Sequence, residues 1–194
     1  SNEPFEKIIL SSKKFLSLDE KDKRFTRLII TTVLRKFGQI DFIMNQFIKK
    51  GSIKKNNLKN IIRIGIAELI FIKSARYAAI NEAVETTKIN YSNRLSKFTN
   101  AVLRNIDRDK EKLSSMITDE MNYPSWLIED WKQTWGTKQT KEIIRYFQKE
   151  PYLDISVAGD PQEMERVVKG KNIYNKTLRI DEIINPSKLA FYQT

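Results

Sequence analysis

Asn60–Phe71 reads NIIRIGIAELIF, and its reading decides the fold. The stretch is apolar almost throughout, yet Arg63 and Glu68 lie inside it and Asn60 opens it. No run of about 18 uncharged apolar residues occurs in the chain, so a transmembrane helix is excluded. The run is therefore a central helix of a packed bundle, predicted over Leu58–Phe71. Gly65 interrupts it. A helix-interior glycine costs about 1 kcal/mol against alanine, and close approach of a neighbouring helix is the expected compensation. Ala79–Ile106 repeats the pattern, with AINEAVE at one end and FTNAVLRNI at the other. A buried polar group without a partner costs roughly 2–7 kcal/mol, so apolar helices studded with Arg, Asn and Glu specify one packing arrangement.

Upstream, apolar spacing predicts a helix over Phe5–Leu18, then one over Lys21–Phe37 capped by Asp19 and ended by Gly38. A third covers Asp41–Ile48, ended by Gly51. Downstream, Ala78–Ile89 and Leu95–Ile106 are the fifth and sixth helices, with Ala79, Ala83 and Ala101 permitting tight contacts. Residues 109–150 read as a helical connector: a short helix ends near Asn122, Pro124-Ser125 starts another that carries Trp126, Trp131 and Trp135, and Gly136 separates it from Thr137–Lys149. After Pro151 the period changes from 3.6 to 2. Leu153–Val157 reads as a strand, Asp160-Pro161 opens a short helix to Val168, and Thr177–Ile180 and Leu189–Tyr192 read as further strands. The expected architecture is mainly α: a helical bundle over 1–108, the connector over 109–150, and the beginning of a small α/β subdomain over 151–194. A sheet whose last strand falls at the terminus suggests a piece of a longer polypeptide.

The chain has 194 residues, no Cys and no His. Disulfides, thiolate nucleophiles, Cys-type zinc sites and imidazole acid–base chemistry are thereby absent. No secretory signal is read at the amino terminus, and a cytoplasmic setting is expected. Residues 1–108 carry 22 Lys and Arg against 10 Asp and Glu, a balance of +12, whereas residues 109–194 carry 13 against 14. The first segment is thus the candidate for a polyanion partner, set against the plainer reading of a lysine-rich solvated surface.

Its cations form sets. Lys21, Lys23, Arg24 and Arg27 surround the first helix junction, and Lys54 and Lys55 lie in the loop before the central helix. Either set suits phosphates, which contribute salt dependence rather than sequence preference. Arg76-Tyr77 places a cation beside an aromatic ring able to stack an unpaired base. Arg35, Arg63 and Arg104 stand in apolar windows, where a charge is costly unless paired. Glu68, Glu82 and Glu85 are the expected partners, Glu82 first for Arg104. Asn81 and Asn100 are expected to bond free backbone groups near helix ends.

The pattern Arg24-Phe25, Val33-Leu34-Arg35, IRIGIAEL over 62–69, AAINEAVE over 78–85 and FTNAVLR over 98–104 resembles the NusB-like amino-terminal domain of bacterial ribosomal RNA small subunit methyltransferases B, the Sun/Fmu family. Tyr123-Pro124-Ser125-Trp126-Leu127 resembles that family's HPSWL junction, with Tyr where His is usual, and Pro151–Val157 resembles the start of its RNA-binding subdomain. The antitermination factor NusB shares the bundle, but its arginine-rich amino-terminal helix and early end have no counterpart here. The resemblance implies an RNA-binding arm that positions 16S ribosomal RNA for a methyltransferase domain. That domain takes methyl from S-adenosylmethionine through a glycine-rich loop and attacks cytosine C6 with a Cys thiolate. With no Cys and no Gly-x-Gly, this chain is expected to hold neither the cofactor nor the catalytic residues. The partners implied are 16S ribosomal RNA and the missing methyltransferase domain. A protein-interaction or antitermination module is the alternative.

Overall fold

A computed structural model describes residues 3–49, 53–168 and 170–180. They divide into two compact units, Ser1–Gln148 and Lys149–Thr194.

The first unit is helical. Where one helix is expected over Phe5–Leu18, two short ones form, α1 (Phe5–Leu10) and α2 (Lys13–Leu16). The serine pair between them explains the break. Ser11 Oγ donates to the Ile8 carbonyl at 2.7 Å, and Ser12 Oγ accepts from the Phe15 amide at 3.3 Å, so both hydroxyls compete for helical backbone groups. Helix α3 (Glu20–Arg35) carries the expected cap, with Asp19 Oδ1 accepting from the Asp22 amide at 2.7 Å. Gly38 does not end it. The chain bends at Lys36 and continues as α4 (Phe37–Phe47), with Gly38 inside the new helix. A Cβ at Gly38 would lie 1.7 Å from the Met121 carbonyl oxygen, so this glycine answers to packing and not to a helix end.

Helix α5 (Asn56–Ile66) passes without a break into a π-helical turn, Ala67–Ile72, closed by Lys73 at φ 58°. Then follow α6 (Arg76–Asn90), α7 (Asn93–Arg108), α8 (Lys110–Met116), a 3₁₀ turn (Asp119–Asn122) and α9 (Ser125–Phe147), kinked at Gly136. Ile40 and Ile43 of α4, Ile62 and Ile66 of α5, and Leu103 and Ile106 of α7 are fully buried together. Gly65 has the close neighbour its position implies: an added Cβ would stand 2.8 Å from Leu103 Cδ1.

Residues 109–148, the segment read as a helical connector, fall in the same compact unit as the bundle. Amides make the join. Asn122 Oδ1 accepts from the Gln39 amide at 3.0 Å, and Asn122 Nδ2 donates to Gln39 Oε1 and Gln148 Oε1 at 3.1 and 3.2 Å. Gln148 Nε2 in turn donates to the Tyr123 hydroxyl at 3.0 Å.

The second unit holds β1 (Leu153–Ser156), α10 (Pro161–Val168), β2 (Gly170–Tyr174) and β3 (Thr177–Ile180). The sheet order is β1-β3-β2, antiparallel throughout, with Leu153 opposite Ile180 and Ile155 opposite Leu178. Val157, Val168, Leu178 and Ile180 form its core. Strand β2 is absent from the sequence expectation because its residues are mostly polar. Its backbone is held by β3 across a turn at Asn175, which adopts φ 48°. The strand expected over Leu189–Tyr192 lies outside the described residues.

Candidate nucleic-acid interface

Helices α6 and α7 are joined by two residues and run antiparallel. Ala79 and Ala83 are buried in α6, and Thr87 Oγ1 lies 3.2 Å from Thr99 Oγ1 in a dry contact between the helices. Ser92 starts α7 by accepting the Leu95 amide at 3.3 Å. The outer edge of the pair lies between the start of α6 and the end of α7. There a pocket of about 360 Å³ opens, lined by Arg76, Tyr77, Ile80, Asn81, Val84, Asn100, Arg104 and Asp107.

Five of the residues singled out from sequence therefore meet in one place: Arg76, Tyr77, Asn81, Asn100 and Arg104. Tyr77 is 79% exposed at the rim. Arg104 is exposed and donates through Nε to Asn100 Oδ1 at 3.0 Å. This corrects the expected buried pair with Glu82, which is itself exposed. Arg104 lies on the side of α7 turned away from Val102, Leu103 and Ile106, so adjacency to them in sequence does not bury it. Asn81 and Asn100 face the pocket instead of capping helix ends. Arg76 donates to Asp107 Oδ2 at 3.2 Å, while Asp107 Oδ1 is buried with no hydrogen-bond partner among the described residues.

The other expected structural residues separate. Arg63 is paired, but with Asp41: Nε to Oδ1 at 2.7 Å and Nη2 to Oδ2 at 2.9 Å. Arg35 is half-buried, with no ion pair or hydrogen bond among the described residues, which corrects its assignment to a bundle glutamate. Glu68 is buried, and no arginine pairs with it among the described residues. Loss of water, and secondarily the Glu82 carboxylate, hold its carboxyl above the ordinary range.

The first basic set does not join the pocket. Arg27 grips Glu6 through both carboxylate oxygens and lies 5.3 Å from the Phe15 ring centre, tying α1 and α2 to α3. Lys23 pairs with Glu20 at 3.2 Å, while Lys21 and Arg24 are exposed. Lys54 and Lys55 do reach a pocket, a second one of about 620 Å³ that includes Ser92, Arg94, Leu95 and Phe98 of the α7 end. Lys55 Nζ lies 4.8 Å from the Tyr91 ring centre. Sequence reasoning missed Arg94, Lys97, Phe98, Asp107 and Arg108. The signal was available, since Arg94, Lys97, Arg104 and Arg108 recur on the helical period opposite the buried face of α7.

Trp131 packs against Tyr123, Trp135 and Phe147 at centroid distances of 5.6–6.3 Å. Trp126 and Trp135 remain exposed, so the tryptophan repeat is only partly a packing device.

The NusB family model matches residues 2–108. The chain belongs to the NusB family. This NusB-family chain is also 29% identical over 161 residues to a Synechocystis protein named "Probable ribosomal RNA small subunit methyltransferase B", an alignment covering 77% of this chain and 35% of that protein. A Bacillus subtilis protein of the same name is 27% identical over 154 residues, covering 74% and 34%. The Klebsiella pneumoniae (strain 342) "Ribosomal RNA small subunit methyltransferase B" is 26% identical over 131 residues, covering 66% and 30%. The chain spans about a third of the length of these curated relatives. No helix among the described residues is long and apolar enough to cross a membrane.

Proposed function

We propose that this NusB-family chain is the RNA-binding amino-terminal region of an S-adenosylmethionine-dependent 16S ribosomal RNA (cytosine-5) methyltransferase. It positions ribosomal RNA for a catalytic domain that these 194 residues do not contain. The observation that carries the reading is the α6–α7 pocket, where two arginines, two amides and an exposed tyrosine converge. Arginine meets phosphate, the amides offer donors and acceptors to base edges, and the ring stacks an unpaired base. The +12 balance of residues 1–108 and the names of the relatives support it. S-adenosylmethionine belongs to the catalytic domain. Here β1 runs through the single Gly159 into α10 on an antiparallel sheet, whereas a nucleotide-type cofactor needs a glycine-rich turn after a parallel strand.

The test is a titration of the chain with small-subunit ribosomal RNA at several salt concentrations. Binding should weaken linearly in log affinity against log salt, and Tyr77→Ala with Arg104→Ala should weaken it further. No binding at low salt would refute the reading. A protein-interaction module is favoured by a different observation, an apolar groove of about 720 Å³ lined by Phe5, Ile8, Phe15, Leu18, Ile30 and Leu34. Binding to a protein partner in the absence of any RNA affinity would favour it.

A further inference from the structure

Asp107 is the carboxylate of the α6–α7 pocket, near the end of α7 and linked to α6 through Arg76. Its side chain is 15% exposed, yet only one of its oxygens is satisfied. Oδ2 accepts from Arg76 Nη1 at 3.2 Å, a long contact from a side chain that is itself 67% exposed. Oδ1 is buried and, alone among the buried side-chain oxygens and nitrogens of the described residues, has no hydrogen-bond partner. A buried acceptor left unpaired is costly, and more so when it carries charge. The torsion about Cβ–Cγ is soft, so release of the exposed Arg76 leaves both oxygens able to turn toward a pair of donors. The carboxylate is therefore suited to a ligand that brings adjacent N–H groups into the pocket.

The rest of the lining complements it. Asn81 makes no side-chain hydrogen bond among the described residues, and Asn100 uses its oxygen for Arg104. Two amide nitrogens are thus left to donate. Ile80 and Val84, one helical turn apart, give the pocket an apolar side, and Tyr77 gives it a ring at the rim. A volume of about 360 Å³ lies at the small end of ligand pockets. The matching ligand is a flat heterocycle with two adjacent donors for the carboxylate and an acceptor beside them for an amide. Guanine has that edge: N1–H and N2–H side by side, then O6. Adenine and cytosine each bring one amino group next to a ring acceptor, which would face the carboxylate. Uracil brings one N–H between two carbonyls.

We propose that the α6–α7 pocket selects an unpaired guanine, with Asp107 accepting N1–H and N2–H, Asn81 donating to O6 and Tyr77 covering the face of the ring. Asp107 is then the residue that sets base preference, and Arg104 remains for a phosphate. The guanine of an RNA and that of a free nucleotide share this chemistry. In the first case the inference rests on the RNA-binding reading above and names the base that its pocket selects. In the second it stands apart from that reading.

The experiment follows fluorescence anisotropy on the full 194-residue chain. The probes are labelled five-nucleotide uridine strands with guanosine, inosine, adenosine, cytidine or xanthosine at the centre, beside guanosine and adenosine monophosphates. The guanosine strand should bind about tenfold more tightly than the inosine strand, which lacks only the 2-amino group, and than the adenosine strand. Asp107→Asn keeps the shape of the side chain and exchanges one acceptor for a donor. It should lose the guanosine preference and favour the xanthosine strand, because xanthine carries O2 where guanine carries N2–H. An RNA source is supported by a strand that binds more tightly than guanosine monophosphate and responds to salt. A nucleotide source is supported by equal affinities of the two. The inosine comparison needs no variant, so it decides the matter if Asp107→Asn does not fold. Equal affinity for the guanosine, inosine and adenosine strands would overturn the guanine site, and so would an unchanged guanosine preference in folded Asp107→Asn. Small-subunit ribosomal RNA that still binds in either event leaves the RNA-binding reading intact. Absence of binding to every RNA and to both nucleotides would sink both, whereas binding of guanosine monophosphate alone would keep the site and remove the RNA.

Discussion

The α4–α5 face and the α6–α7 face of the bundle each present an arginine, and the two are satisfied differently. On the first, Arg63 makes a two-pronged pair with Asp41, donates to Asn60 Oδ1 at 2.8 Å, and lies 4.4 Å from the Phe37 ring centre. Its side chain is 14% exposed and that of Asp41 28%. On the second, Arg104 is exposed and has one neutral amide for company. A guanidinium with all three nitrogens already donating and its charge paired has little left for a ligand. One with most donors directed to solvent beside a pocket has charge and hydrogen bonds to offer. The difference separates a residue that holds the fold from a residue available for recognition.

Gly38→Ala tests the packed face hardest. The new Cβ would meet a backbone oxygen at 1.7 Å, and neither α4 nor the 3₁₀ turn can yield without disturbing the Asn122 amide network. A loss of about 3 kcal/mol is expected, at the upper end of overpacking costs, measured as a shift in urea midpoint. A variant as stable as the parent would mean that the two helical layers are loosely joined.

Arg63→Ala comes next. Removing charged hydrogen bonds to a partly exposed carboxylate should cost about 1.5–3 kcal/mol, below the full buried-pair figure because water reaches Asp41. Arg63→Lys should recover only part of it, since the forked geometry is lost. RNA affinity, measured in parallel on the folded variants, should stay within twofold. A large loss of affinity at unchanged stability would place Arg63 on the recognition side and reverse the comparison.

Neither arginine declares its role through its immediate neighbours. Arg63 is preceded by Ile61-Ile62, and Arg104 by Val102-Leu103. Burial follows the helical angle. Extending the 3.6 period along α7 groups Arg104 with Arg94, Lys97 and Arg108, opposite Thr99, Leu103 and Ile106. That much was legible. The partner of Arg63 was not, because Asp41 lies on another helix 22 positions away and only the packing of α4 on α5 brings it near. The helices themselves were legible from apolar spacing and the Asp19 cap. The break at Ser11-Ser12, the bend at Lys36 and the π-helical turn at Ala67–Ile72 arise from local hydrogen-bond competition and packing that periodicity does not encode. The pocket was half legible: Arg76, Tyr77, Asn81, Asn100 and Arg104 stood out singly, whereas their meeting depends on the α6–α7 hairpin.

Glu68 offers a subtler test, because it is a buried charge with no arginine. Its folded carboxyl titrates above its unfolded value, through burial first and the Glu82 carboxylate second. Below the unfolded pKa both states carry the proton and nothing is lost. As pH rises through that value, the unfolded chain releases its proton before the folded one, so stability falls until the folded group also ionises. Glu68→Gln should therefore be more stable than the parent at pH 7, and the gain should vanish near pH 4. A gain that persists in acid would point to packing instead of charge.

Arg104→Ala should have the smallest effect on stability and the most specific one on binding. An arginine in the pair first expected with Glu82 would leave a buried carboxylate behind when removed, at a cost of about 3–5 kcal/mol. In the structure Glu82 is exposed and Arg104 holds only Asn100, so the change should stay within about 0.5 kcal/mol, as at other exposed sites. The same variant should weaken single-stranded RNA binding and reduce the log–log salt slope by about 0.7, the share of one phosphate contact on a single strand. Both readouts are needed. Lost affinity with an unchanged slope would assign Arg104 to a base edge or to positioning Asn100, and would move the phosphate contact to Lys97. A stability loss of 2 kcal/mol or more would make Arg104 a second Arg63. The α6–α7 pocket would then be a feature of packing, and the contrast between the two faces would fail.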